Sequence, residues 1–173
     1  MDTYLELIIK QKYTFSKVIL LILLYLTATV LALGVLLIAA FSPAVMQLSG
    51  FFIALVFFGV WFVHKRFSVE YEYIVTNDEL DVDRIVAKRS RKRLVTVSSR
   101  SFDEFGAVEG SDIMNRKRSF KVVLDASIGK GSVNRYYATF NNKHGDRMLL
   151  IFNPTSKMID SFRIYNPRVI GDI

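Results

Sequence analysis

The sequence predicts a membrane α-hairpin followed by a domain of the α+β class, in which antiparallel strands are closed by a C-terminal helix. Residues 18–63 contain no Asp, Glu, Lys, Arg or His, so this apolar run suits the interior of a bilayer. Beyond residue 67, polar and apolar side chains alternate, which is typical of half-buried strands. Near the C-terminus, four apolar residues fall on one face of a predicted helix, namely Met158, Ile159, Phe162 and Tyr165.

The apolar run is long enough for two membrane spans. A bilayer core about 30 Å thick needs about 20 residues of helix, and residues 18–63 provide roughly twice that number. Ser42-Pro43 interrupts the run near its middle, so we predict transmembrane helices over 18–41 and 44–63, joined by a tight turn. Small residues predict close packing of the two helices; they are Ala28, Ala32, Gly34, Ala39 and Ala40 in the first and Gly50, Ala54 and Gly59 in the second.

Basic residues on both flanks of the hairpin predict its orientation. Lys10, Lys12 and Lys17 precede the first span, and Lys65 and Arg66 follow the second, whereas the connecting turn has no charge. Because Lys and Arg near the ends of spans are retained in the cytoplasm, we predict a multi-pass protein of the cell membrane. Both of its termini are then cytoplasmic.

Residues 1–17 form a separate N-terminal segment in this prediction, cytoplasmic or lying at the membrane interface. Leu5, Ile8 and Ile9 share one helical face. This pattern favours either a short helix in the membrane interface or a frayed, partly helical lead-in to the first span.

The domain predicted over residues 64–173 begins with a strand–turn–strand unit. Val69–Val75 and Leu80–Val86 both alternate, and Asn77-Asp78 suits a two-residue turn. This register predicts three cross-strand pairs, Val75 with Leu80, Tyr73 with Val82 and Tyr71 with Arg84. The opposite face carries carboxylates that repel one another, those of Glu70, Glu72, Asp81 and Asp83.

The basic run at residues 88–93 has a structural and a functional interpretation. If the following strand, Leu94–Ser98, continues a meander, Arg91 and Arg93 face Asp83 and Asp81 and offset the acidic face. Alternatively, a domain attached to a bilayer holds its basic loops near anionic lipid headgroups, where each Lys or Arg contributes about 1 kcal/mol of attraction. The candidate lipid contacts come from this run and from a second one, and they are Lys88, Arg89, Arg91, Lys92, Arg116, Lys117 and Arg118.

Further strands and a helix complete the predicted domain. Residues 120–124, 135–140 and 147–152 have strand patterns, which brings the total to about six or seven antiparallel strands. The helix then starts at Asn153-Pro154, with Asn153 as N-cap and Pro154 at the first helical position, and it ends before Pro167.

Several kinds of chemistry find no support in the sequence. The absence of cysteine excludes disulfides and thiolate metal sites, and His64 and His144 are interpreted as surface residues rather than metal ligands. Gly129–Ser132 lacks the spacing of a phosphate-binding loop, the acidic strand face lacks EF-hand spacing, and no nucleic-acid reader motif accompanies the basic runs. We therefore predict no enzyme activity, no catalytic, cofactor-binding or metal-binding residues, no cofactor and no nucleic-acid partner.

Three segments carry a resemblance to a known family. The strand–turn–strand YEYIVTNDELDVDRI, the basic KRSRKRL behind it and the closing NPTSKMIDSFRIYNPRVI together resemble small two-span membrane proteins of Gram-positive bacteria that carry a C-terminal PH-like domain. The resemblance implies that residues 64–173 form a PH-like antiparallel β-barrel or sandwich capped by a C-terminal helix. PH-like domains bind phosphoinositides, peptides or other proteins, but the resemblance transfers no particular binding residue.

These observations predict a non-enzymatic, membrane-anchored binding or scaffolding protein. It presents its PH-like domain at the cytoplasmic face of the membrane, with the bilayer, anionic lipid headgroups and a protein as its partners. The alternative is a structural subunit of a membrane complex, or a homo-oligomer, assembled through the transmembrane hairpin.

Overall fold

The computed structural model describes residues 3–171, which belong to two compact units. Residues 13–68 form a helical unit, and the chain on both sides of them forms a single β-rich domain. Residues 1, 2, 172 and 173, which the predicted segment 1–17 and the predicted domain 64–173 include, lie outside the described residues.

The helical unit consists of α1, Phe15–Phe41, and α2, Pro43–Arg66, with only Ser42 between them. Pro43 is tolerated at the start of α2 because its missing N–H would have no partner there. Both helices are long and apolar enough to cross a membrane. Most of their large apolar side chains are exposed, so the unit presents an apolar surface that suits a lipid environment.

The contact between α1 and α2 uses alanines and a valine but no glycine. Ala28, Ala39 and Val60 are buried, which confirms the predicted packing role of the two alanines. The same prediction is wrong for the glycines, because a Cβ added to Gly34, Gly50 or Gly59 would have nothing within 4 Å.

The first sheet of the domain has four antiparallel strands in the order β1-β2-β3-β4. They are β1, Tyr4–Lys10; β2, Val69–Thr76; β3, Glu79–Val86; and β4, Ser90–Ser98. The predicted register of β2 and β3 is confirmed at Val75–Leu80, Tyr73–Val82 and Tyr71–Arg84. Asn77 has a φ of 56° in the turn between them, a conformation that Asn tolerates better than most residues.

β1 corrects the prediction for the N-terminal segment. Tyr4–Lys10 is a strand, and all seven of its residues pair with β2, so the helical interpretation is wrong. The spacing of Leu5, Ile8 and Ile9 fits a helix, but Leu5, Leu7 and Ile9 also alternate, and these three pack on the core of the domain. The helical unit is therefore inserted between two neighbouring strands of one sheet.

The second sheet also has four strands, in the order β5-β7-β8-β6. They are β5, Glu104–Ala107; β6, Val122–Asp125; β7, Tyr136–Asn141; and β8, Arg147–Phe152. β6 runs parallel to β8, which differs from the prediction of antiparallel strands alone. A 3-10 helix, Asp112–Ser119, forms the crossover between β5 and β6 that strands of the same direction require.

The two sheets face each other across a shared core and do not close into a barrel, so the described residues form the sandwich rather than the barrel of the predicted PH-like fold. The helix α3, Ser156–Tyr165, packs on this core with Met158, Ile159 and Phe162 buried, as predicted. A short turn of helix, α4, spans Pro167–Ile170. The N-cap of α3 is Thr155 rather than Asn153, and its hydroxyl accepts a hydrogen bond from Met158 N at 3.3 Å.

Candidate functional site

The chain enters and leaves the helical unit at one end of the domain. Gln11 N donates to Val69 O at 3.0 Å, and Lys12 N donates to Ile128 O at 2.6 Å. These contacts bring together the end of β1, the start of β2 and the loop after β6. We call this the connection end of the domain and define it by Lys12, Val69 and Ile128.

The turn between β3 and β4 lies at the connection end as well. Val86 pairs with Val69 on one side and with Ser90 on the other, so residues 87–89 turn beside the start of β2. Ala87 and Lys88 both have positive φ, 54° and 57°, which suits the tight reversal of a hairpin. The turn exposes the side chains of Lys88 and Arg89.

The loop 126–134 owes its shape at this end to Asn153. Asn153 is 5% exposed, and its Nδ2 donates to Val133 O at 3.1 Å and to Asn134 O at 2.9 Å. Its Oδ1 accepts from Ile128 N at 2.9 Å. Leaving these buried groups without partners would be costly, so the amide holds the loop closed.

The loop presents a cation and an apolar side chain to solvent. Lys130 is exposed, and Val133 is 79% exposed. At its base, the hydroxyl of Tyr73 donates to Ala126 O at 2.6 Å, and burial raises the pKa of that phenol well above its ordinary range. The loop is thus anchored to the core while Lys130 and Val133 remain exposed.

Arg91 and Arg93, on β4, form ion pairs with the acidic strand face. Arg91 Nη2 lies 2.8 Å from the Glu72 carboxylate, and Arg93 Nη1 lies 2.7 Å from Asp81 Oδ1. Arg93 Nε also donates to Asp83. The predicted contact of Arg93 with Asp81 is therefore observed, but the main partner of Arg91 is Glu72, and Asp83 lies 3.9 Å from Arg91.

Glu72 and Asp83 are the buried members of this acidic face, each 2% exposed. Burial raises the pKa of the Glu72 carboxyl above its ordinary value, an effect that Arg91 partly offsets and Glu6 reinforces. Among residues 3–171 no group of three or more acidic or histidine side chains could hold a metal ion. The face is arranged for pairing with arginines.

The second basic run lies away from the connection end. Arg116 donates to both carboxylate oxygens of Glu104, at 3.1 and 2.7 Å, and holds the pKa of Glu104 below its ordinary value. Lys121, which follows the second basic run, donates its N–H to Arg147 O at the start of β8. Ala126, at the start of the loop of the connection end, donates its N–H to Ile151 O near the end of β8. Strand geometry separates these two points by about 13 Å, so the structure does not bring residues 88–92 and 116–118 together.

Five exposed cations gather at the connection end. None of them forms an ion pair with any residue between 3 and 171, and they are Lys10, Lys12, Lys88, Arg89 and Lys130. Of the other predicted lipid contacts, Lys92, Lys117 and Arg118 also lack an ion pair within that range. Sequence reasoning missed Lys10, Lys12 and Lys130 as members of one cluster, because their proximity depends on β1 being a strand.

The two histidines have different surroundings. His144 is exposed in the turn between β7 and β8, as expected. His64 is half-buried. Its Nδ1 lies 2.7 Å from the hydroxyl of Tyr25, and the two rings meet edge to face. This contact joins α1 and α2.

The chain is similar to a known protein family. A family model described as "Bacterial PH-like domain (DUF6106)" matches residues 1–171, so the match includes β1 and the helical unit as well as the two sheets. No curated protein and no solved structure matches the chain.

Proposed function

The chain belongs to the bacterial PH-like domain family, and on that premise we propose that it is a non-catalytic binding module anchored in the cell membrane. The two apolar helices span the bilayer in this proposal. The PH-like domain lies at the cytoplasmic face, with its connection end directed at anionic lipid headgroups.

The observation that carries this proposal is the position of the five cations of the connection end. Tyr13 and Thr14 alone separate Lys12 from α1, and Phe67 and Ser68 alone separate α2 from Val69. Two residues reach at most about 7 Å, which is shorter than the screening length of about 8 Å at physiological salt. Cations held within that distance of an anionic surface each contribute about 1 kcal/mol of attraction.

The charge pattern around the spans supports the cytoplasmic orientation. Basic residues lie near the start of α1 and the end of α2, while the residues around Ser42, between the two helices, carry no charge. Val133 supports the lipid contact independently of charge, because an exposed apolar side chain next to Lys130 suits the boundary between headgroups and acyl chains.

A fluorescence experiment on the full chain tests the lipid contact. The sequence has no cysteine, so Ser90→Cys provides a single labelling site beside the basic turn. In vesicles with a quencher in the headgroup region, we expect stronger quenching when phosphatidylglycerol is added to phosphatidylcholine. Reversing charge with Lys88→Glu and Arg89→Glu should remove that increase.

Lys117→Glu with Arg118→Glu is the matched control, since it reverses the same charge at the second basic run. It should leave quenching of the Ser90 label unchanged. Quenching that is independent of lipid charge, or that responds equally to both double variants, would contradict the proposed orientation of the connection end.

A second candidate function is a homo-oligomer or subunit assembled through the hairpin. Gly50 and Ala54 favour it, because they are exposed one turn apart on α2 and small residues at this spacing allow helices to approach closely in lipid. We expect cross-linking in mild detergent to capture a defined multimer that Gly50→Leu dissociates. A wild-type monomer at all protein concentrations would rule this candidate out.

A further inference from the structure

A groove runs between β4 and the corner where β7 turns into β8. Its volume is about 550 Å³, and its wall on the β4 side is formed by residues 93–98. Leu94, Val95 and Val97 from β4, together with Phe140 and Met148 from the second sheet, make its surface partly apolar. We call it the β4 groove. It exists because the two sheets do not close into a barrel at this corner.

β4 presents an open backbone edge to this groove. It is the last strand of its sheet, and β3 is its one strand partner within residues 3–171. Charged side chains and bulges commonly protect such edges from unwanted pairing. Arg91–Arg93 provide this protection in the first half of β4, together with the bulge at Leu94, which has no partner between the pairs Asp83–Arg93 and Val82–Val95. Beyond the bulge, Val95–Val97 has neither a charge nor an irregularity.

The ionisable side chains that line the β4 groove are all basic. Arg93, Lys143 and His144 line it, and no Asp or Glu does. Carboxylates bonded to its lining residues are themselves in ion pairs, Asp81 with Arg93, Asp78 with Arg100 and Asp146 with Lys121. Arg93 is already paired with Asp81 and Asp83, whereas Lys143 is exposed and forms no ion pair with a described residue. A ligand with carboxylates complements this rim, and one with basic side chains does not.

We propose that the β4 groove binds an extended acidic peptide of a partner protein, which adds to the first sheet as a strand along Val95–Val97. Backbone hydrogen bonds to the open edge supply affinity, and alternate apolar side chains enter the groove. Carboxylates of the peptide meet Lys143 and His144. A second copy of the chain fits less well, because its net charge is +7 and its own β4 is basic.

This inference rests on the proposed role as a binding module but not on the lipid contact. The residues of the β4 groove and the cations of the connection end are different sets. Lys88→Glu with Arg89→Glu should therefore leave the affinity for the peptide unchanged. Variants of the groove should leave quenching of the Ser90 label unchanged. The lipid contact and the peptide site can thus be refuted independently of each other.

The test uses the full chain in nanodiscs of neutral lipid. The probes are short capped peptides in which valine alternates with aspartate or glutamate, and their counterparts with lysine in place of the acids. We expect the acidic peptides to bind and to slow amide hydrogen exchange at residues 95–97. Lys143→Glu should weaken binding by about five- to tenfold, as reversal of a rim charge pair does.

Lys157→Glu is the matched control, because Lys157 is exposed on α3 and does not line the groove. Its affinity should remain within about twofold of wild type. Failure of the acidic peptides to bind, equal binding of the lysine peptides, or protection elsewhere on the domain would overturn the proposal. Protection of residues 95–97 that rises with protein concentration and without peptide would instead identify a second copy as the occupant.

Discussion

At the scale of single residues, the domain buries two carboxylates on the face of the first sheet that points away from the hydrophobic core. Glu72 and Asp83 alternate with the core residues Tyr73 and Val82 and are nevertheless 2% exposed. Buried carboxylates are unfavourable unless they are paired, and the side chains from β4 supply the pairs. Arg91 therefore stabilises the sheet and is a poorer candidate for lipid contact than Lys88 or Arg89.

Glu72→Gln and Glu104→Gln should show opposite pH dependences of stability. Burial raises the pKa of Glu72 above 4.5, so the wild type gains stability as pH falls through that raised pKa, and the Gln variant cannot gain it. Arg116 lowers the pKa of Glu104 below 4.5. The stability from that pair is present above pH 4.5 and is lost as pH falls through the lowered pKa.

The measurement is denaturant unfolding of the full chain in mild detergent, followed by β-sheet circular dichroism from neutral pH down to about pH 3.5. As pH falls, Glu72→Gln should become less stable relative to wild type, and the deficit of Glu104→Gln should shrink. Parallel curves for the two variants would show that the two carboxyl groups do not have these opposed environments.

At the scale of elements, the contact between α1 and α2 depends on small side chains at particular positions. Ala28 is 2% exposed, so Ala28→Leu forces extra volume between the helices. We expect a cost of about 1–3 kcal/mol, typical of overpacking, and a lower midpoint of thermal unfolding of the helices in mild detergent.

Gly59→Leu is the comparison on α2, since a Cβ at Gly59 meets nothing within 4 Å. It should leave the midpoint close to that of wild type. Equal losses for Ala28→Leu and Gly59→Leu would contradict the observed packing of the hairpin.

Elements also show where local sequence preference is overruled. Tyr4–Lys10 has apolar residues at spacings that suit both a helix and a strand, and pairing with β2 selects the strand. Asn153 suits an N-cap by position and type, but its amide binds loop 126–134, and Thr155, two residues later, caps α3.

At the scale of the whole molecule, the pairing of β1 with β2 means that the domain includes the N-terminal strand as well as the chain after the helical unit. A fragment of residues 64–173 lacks β1 and exposes the edge of β2 along with part of the core that Leu5, Leu7 and Ile9 cover. We expect this fragment to aggregate, as exposed hydrophobic edges do.

Excision of the helical unit should instead leave a soluble domain. Gln11 N and Val69 O are 3.0 Å apart, so a short glycine-asparagine-glycine link can join Lys12 to Val69 without disturbing the sheet. We expect this chain to be monomeric on size exclusion and to unfold cooperatively by β-sheet circular dichroism. A soluble, cooperative 64–173 fragment of equal stability would show that β1 is not an integral strand.

Features that depend on residues close together in the chain can be predicted from the sequence alone. The apolar run, the β2–β3–β4 meander with the register of β2 and β3, and the apolar face of α3 each follow from a local period or a two-residue turn. The contact of Arg93 with Asp81 was predictable in this way, whereas the bulge in β4 that places Arg93 opposite Asp83 was not. The positions of the charges around the two apolar helices also need no knowledge of the fold.

Features that join distant segments of the chain appear only when the chain is folded. The strand state of β1, the parallel direction of β6 and the role of Asn153 depend on partners elsewhere in the chain. The connection end and the β4 groove follow from the same contacts, because residues near 12, 69, 88 and 128 become neighbours only when the sheets assemble. Local periodicity cannot predict which distant strands pair, because the pairing depends on which side chains become buried when the whole molecule packs.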